Sequence, residues 1–138
     1  MRLVIFREGS FFTIWALDLS VHPDPEDCPA KSFFAALERS SQRTLTNLLT
    51  RHADKGAIKN DKKSRHLGDG IYEFKTTQGD RLLYFYDGLG TTILTHGFQK
   101  GAQVQAEIKK AKDLRAKWRS SPGGKNFRDS LEGRSRTR

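Results

Sequence analysis

Cysteine is nearly absent from the 138 residues: Cys28 stands alone. One thiol closes no internal disulfide and supplies too few ligands for a zinc cluster. It reads as an ordinary reduced thiol, which points to the cytoplasm. Long apolar runs are missing too, and none approaches the ~20 residues that a membrane span needs. The stretch Met1-Arg2-Leu3-Val4-Ile5-Phe6-Arg7-Glu8 is too short and too charged for the apolar centre of a secretory signal. Neither a membrane partner nor export is expected. The familiar catalytic signatures are lacking as well. There is no Gly-x-Ser-x-Gly, no His-Glu-x-x-His and no phosphate-binding lysine loop, and the four histidines are scattered. No cofactor and no metal are expected.

Acidic residues are also few, 16 against 25 Lys and Arg, for a net charge of +9. The imbalance is uneven. Residues 1–60 hold 8 basic and 7 acidic side chains, whereas residues 61–138 hold 17 and 9. A basic half suggests a polyanionic partner, most simply nucleic acid. A basic protein without such a partner is the competing reading, since charge governs encounter and solubility rather than fold.

The chain length suits one domain. Leu3 to Phe6 and Phe11 to Leu17 are rich in β-branched and aromatic residues, which predicts a strand pair or one interrupted strand. Two prolines make Val21 to Asp27 a loop. Pro29 suits a first helical turn, with Phe33, Phe34 and Leu37 as an apolar stripe. Ser40 or Ser41 is the expected cap of a second helix that buries Leu45, Leu48 and Leu49 and stops at Gly56. The two form a helical hairpin.

Lys59 to Arg65 reads as a charged loop containing Lys62, Lys63 and Arg65. Three strands follow, at Gly70–Thr76, Asp80–Tyr86 and Thr91–Phe98, joined by short Gly-containing turns. Gln103 to Arg119 repeats apolar residues at helical spacing through Val104, Ile108, Ala111, Leu114 and Trp118. The expected fold class is α+β: a small antiparallel-rich sheet, an N-terminal helical hairpin, a C-terminal helix, and helices on one face. Residues 1–119 form the domain, and the polar, Gly-rich, basic stretch 120–138 reads as a disordered tail.

The chemistry lies in cations on neighbouring strands. Antiparallel pairing across the Thr77-Gln78-Gly79 turn brings Lys75 near Arg81, and Lys100 follows Phe98 on the last strand. Cations beside aromatic rings suit RNA, where charges hold phosphates and rings stack bases. Solvated turn charges are the alternative for Lys75 and Arg81. RNA carries its own nucleophile, the 2′-hydroxyl beside the scissile phosphate. A site for its cleavage aligns that hydroxyl, accepts its proton, neutralises the pentacovalent phosphate and protonates the leaving oxygen. Arg81 suits the neutralising role through its bidentate fork. Lys75 or Lys100 is a candidate acid or base. His96 is another, because imidazole titrates near neutrality; a hydrogen-bonded structural histidine is the competing reading, since His96 sits in an apolar run.

Leu67-Gly68-Asp69-Gly70-Ile71-Tyr72-Glu73-Phe74-Lys75, Gly79-Asp80-Arg81-Leu82-Leu83-Tyr84-Phe85, Leu94-Thr95-His96-Gly97-Phe98-Gln99-Lys100 and Ala106-Glu107-Ile108-Lys109-Lys110-Ala111 together resemble the phage-derived, HigB-like branch of the RelE/ParE toxin superfamily. The resemblance covers roughly residues 28–118. It implies a RelE-like fold and a type II toxin that cleaves messenger RNA, often on translating ribosomes, and so inhibits translation. It also implies a cognate antitoxin, commonly with a helix-turn-helix DNA-binding domain. The family's basic strand position falls on Lys75, its second-strand Arg on Arg81, and its aromatic-plus-lysine strand end on Phe98 and Lys100. Catalysis is expected from Lys75, Arg81, His96 and Lys100, and RNA binding from Lys62, Lys63, Arg65, Phe98 and Gln99.

The sequence departs from the family pattern at three places. Lys75 stands where Arg is common, Lys100-Gly101 where two lysines are common, and Ala102-Gln103-Val104-Gln105 where a Thr-x-x-x-Pro stretch is common. Two further functions share the same fold and charge. One is ParE-like inhibition of DNA gyrase without nucleolysis, and the other is RNA binding with weakened catalysis.

Overall fold

The computed structural model describes residues 1–20 and 27–136. Most of the Val21–Asp27 loop expected from its prolines lies outside the described residues. The elements run β1 (Arg2–Glu8), β2 (Thr13–Asp18), α1 (Pro29–Ala36), α2 (Arg39–Lys55), β3 (Ser64–Gly68), β4 (Ile71–Lys75), β5 (Asp80–Tyr86), β6 (Thr91–Gln99), α3 (Val104–Ser120) and α4 (Pro122–Arg136). The strands form one six-stranded sheet in the order β1-β2-β6-β5-β4-β3. Every neighbouring pair is antiparallel except β2 with β6. The expected α+β class with an antiparallel-rich sheet is what the chain adopts.

Helices cover both faces rather than one. On the first, Ala30, Leu37, Leu45, Leu48, Leu49 and Ala53 of the α1–α2 segment pack against Ile14, Phe74, Leu82, Tyr84 and Leu94 of the sheet. On the second, Ala111, Leu114 and Trp118 of α3 cover Leu17, Ile71, Leu83, Phe85 and Ile93. The central strands therefore read as nearly continuous apolar runs, since both faces are buried. Removing apolar side chains from water on both sides drives the layering.

Three local expectations change. The charged segment before Gly68 is partly a strand: Arg65 pairs with Glu73 and His66 with Tyr72, making β3 the sheet's edge. Charged residues suit an exposed edge, because they discourage further strand pairing. Helix α2 starts at Arg39 with Glu38 as its N-cap, so Ser40 and Ser41 lie inside the first turn. Its end at Gly56 is as expected, with a backbone φ of 93°.

The expected disordered tail is instead largely helical. Pro122 opens α4, and the Ser121 hydroxyl accepts the Gly124 N–H at 3.0 Å. Pro-Gly-Gly thus ends α3 and starts a new helix, since proline is tolerated in a first turn. Phe127 anchors α4, with its ring 5.6 Å from Trp15 and 6.1 Å from Trp118 between centroids.

Candidate nucleic-acid interface

The far end of the β4–β5–β6 meander gathers the cations. Lys75 lies opposite Arg81, and Arg81 opposite Phe98, so one row crosses the three strands. Thr76 shapes the turn between Lys75 and Arg81: its hydroxyl donates to Asp80 Oδ2 and accepts the Asp80 N–H, both at 3.0 Å. Gly79 completes it with φ 91°, a conformation that favours glycine. The Lys100 N–H donates to the Gly79 carbonyl at 3.0 Å and brings that lysine over the turn.

Together these elements enclose a pocket of about 450 Å³ lined by Lys62, Lys75, Thr76, Thr77, Gly79, Arg81 and Lys100. Three residues expected to be catalytic and one expected to bind RNA share it, and among the described residues no carboxylate is in its lining. Arg81 is partly buried, with 19% of its side chain accessible, whereas Lys62 and Lys100 are exposed. Its guanidinium carbon lies 5.9 Å from the centre of the Phe98 ring, an arrangement suited to cation–π attraction. Such a concentration of positive charge in a concavity focuses the field on an anion the size of a phosphate.

The other expected residues lie apart from the pocket lining. Lys63 is exposed, and its backbone carbonyl accepts the Lys75 N–H at 2.8 Å. Arg65 points an ion pair at Glu73 at 3.1 Å. Phe98 is buried beneath Arg81. Gln99 donates to Asp80 Oδ1 at 3.3 Å and borders a neighbouring apolar hollow with Phe33, Ala36, Leu37 and Phe98.

His96 faces α3. Its Nε2 donates to Glu107 Oε2 at 2.6 Å, and the Thr95 hydroxyl stands 3.1 Å from Nδ1. Burial pushes the imidazole below its ordinary value; the Glu107 bond works in the opposite direction, and Lys110 adds to the lowering. Both ring nitrogens are engaged within the protein, which is the structural histidine reading. A bulge sets this orientation. The register passes from Leu82↔Gly97 to Tyr84↔Leu94, so β6 carries one residue more than β5 over that interval. One extra residue reverses which face the following side chains occupy.

Gly101 also has a backbone reason. Its φ of 103° belongs to the region that disfavours a second lysine there. Sequence reasoning missed Glu73, which is fully buried and lies 3.3 Å from Arg81 Nη1. Its signal was available: Glu73 precedes Lys75 by two residues and so shares its face of β4.

Sheet order, helices on both faces and the cationic turn define a small RelE-like α+β fold. The profile of the family described as phage-derived protein Gp49-like (DUF891) matches residues 32–117, well over half of the chain. The protein belongs to this family, which is RelE/HigB-like. No curated protein matches the chain.

Proposed function

We propose that the protein is the toxin of a type II toxin–antitoxin system and acts as an endoribonuclease on messenger RNA, on the ribosome, without a metal. The observation that carries this reading is the convergence of Lys62, Lys75, Arg81 and Lys100 on one pocket. In the proposed mechanism the substrate's 2′-hydroxyl attacks the adjacent phosphorus. Arg81 stabilises the charge that develops on the phosphate oxygens, where a fixed donor acts most strongly. Lys75 and Lys100 hold the phosphate from either side of the turn and exchange protons with the attacking and leaving oxygens. Lys62 draws the strand in. His96 takes no part in the chemistry, because both of its nitrogens are occupied. The antitoxin, in this reading, masks the basic face with acidic and apolar residues.

The test is cleavage of an RNA oligonucleotide on programmed ribosomes, beside a copy carrying 2′-deoxyribose at the cleaved position. The proposal expects a 2′,3′-cyclic phosphate product from the first and no cleavage of the second. Cutting of the deoxy copy overturns the 2′-hydroxyl mechanism. A second reading, RNA binding without cleavage, is favoured by one observation: among the described residues, no histidine or carboxylate lines the pocket to carry a proton. Tight binding of intact RNA with no product supports it.

A further inference from the structure

Glu73 stands in the middle of β4 with no accessible surface. A carboxylate taken from water is unfavourable unless cations replace its hydration. Two arginines flank it, one from each neighbouring strand, and of its two oxygens Oε2 is the one with a hydrogen-bond partner among the described residues. Arg65 Nη2 of β3 lies 3.1 Å from Oε1, and Arg81 Nη1 of β5 lies 3.3 Å from Oε2. Stability alone does not demand this arrangement, since packed apolar residues commonly replace a buried ion pair without loss. An apolar residue, however, sets no direction for a guanidinium.

Direction is what the surroundings of Arg81 otherwise lack. Its Nε is buried without a hydrogen-bond partner among the described residues. The Phe98 ring, a non-directional neighbour, lies 5.9 Å from the guanidinium carbon. Among the described residues, the polar contact that fixes the rotation of the fork is therefore the one to Glu73. Arg81 nevertheless lines the pocket with Lys75 and Lys100, so its rotation decides which N–H groups meet a phosphate there.

We infer that Glu73 is a positioning residue: through its ion pair it holds the Arg81 guanidinium in the orientation needed to grip a phosphate. The catalytic part of this inference rests on the role proposed for Arg81. Glu73 touches no substrate and lowers the positive charge of the site. Its removal should thus leave RNA binding equal or tighter while slowing turnover. A residue of merely structural importance would weaken both together.

Two measurements test this. The first is nitrogen-15 NMR of the arginine side chains, which needs no activity. In the wild-type protein the Arg81 Nη signals should be resolved by slow rotation, and in Glu73→Gln they should collapse. A freely rotating Arg81 guanidinium in the wild-type protein overturns the inference, even if Glu73→Gln does not fold. So does a restricted one that Glu73→Gln leaves unchanged. The second is single-turnover RNA cleavage by Glu73→Gln, Arg81→Ala and the double variant. Misplacing a reacting group commonly slows a reaction, and Glu73→Gln should reduce the rate about tenfold with unchanged or lower Kd. In the Arg81→Ala background it should have no further effect. An equal loss in both backgrounds overturns the inference. If the wild-type protein cuts no RNA, the proposed function fails, and the NMR result alone still decides whether Glu73 orients Arg81.

Discussion

Lys100 lies directly across Gly79: a Cβ added to that glycine would sit 2.8 Å from the Lys100 Cβ. The contact joins the end of β6 to the β4–β5 turn and sets one wall of the cationic pocket. Gly79→Ala therefore meets two obstacles, the crowding and a φ of 91°. The backbone conformation alone should destabilise the alanine variant by about 1–2 kcal/mol. The displaced Lys100 should also bring RNA cleavage down to the level of Lys100→Ala. Thermal denaturation checks the first effect and single-turnover cleavage the second.

His52 makes stability depend on pH. It is fully buried, stacked on Phe12 at 4.5 Å between ring centroids, with Nε2 2.9 Å from the Thr92 hydroxyl. Burial lowers its pKa from 6.5 to about 4. Below pH 6.5 the unfolded chain takes up a proton that the folded chain refuses until about pH 4. The contribution of His52 is thus complete above 6.5 and falls as pH drops through that window, by at most about 1.4 kcal/mol per unit. Urea denaturation between pH 4.5 and 7.5 should show the slope. His52→Phe should flatten it.

The C-terminal helix should matter to stability. Phe127 packs on Trp15 and on Trp118, a fully buried side chain of α3. Phe127 is partly buried, so Phe127→Ala should lower stability by about 1 kcal/mol, less than the loss of a fully buried side chain of its size. Truncation after Ser121 should lower Tm further and raise the solvent accessibility of Trp118, read from its fluorescence maximum. An unchanged Tm in the truncated protein would show that α4 contributes nothing to the core.

The meander and its cations were legible because they rest on local patterns. Short apolar runs, Gly-containing turns and antiparallel pairing suffice to bring Lys75 beside Arg81. The buried leucines of α2 follow from spacing alone. What escaped depends on contacts between distant segments. Strand β3 is short, charged and exposed, so it lacks an apolar signature until β4 is there to pair with it. Helix α4 begins at Pro-Gly-Gly, and only Trp15 and Trp118 show why Phe127 belongs to the core. The orientation of His96 turns on one extra residue in β6, which no periodicity announces. Glu73 reads as an ordinary polar strand position until Arg65 and Arg81 arrive from both sides.

The most direct measurement is single-turnover RNA cleavage on programmed ribosomes by Arg81→Ala and Arg81→Lys, with folding followed by circular dichroism. Truncating Arg81 takes from the buried Glu73 one of its two cations, so Arg81→Ala should be less stable than the wild-type protein, and the rates are compared at a temperature where it remains folded. Removing the bidentate donor from the developing phosphate charge should slow cleavage about 10²–10³-fold. Arg81→Lys keeps the charge and loses the fork, so it should recover only part of the rate. Wild-type cleavage by a folded Arg81→Ala protein would contradict the account.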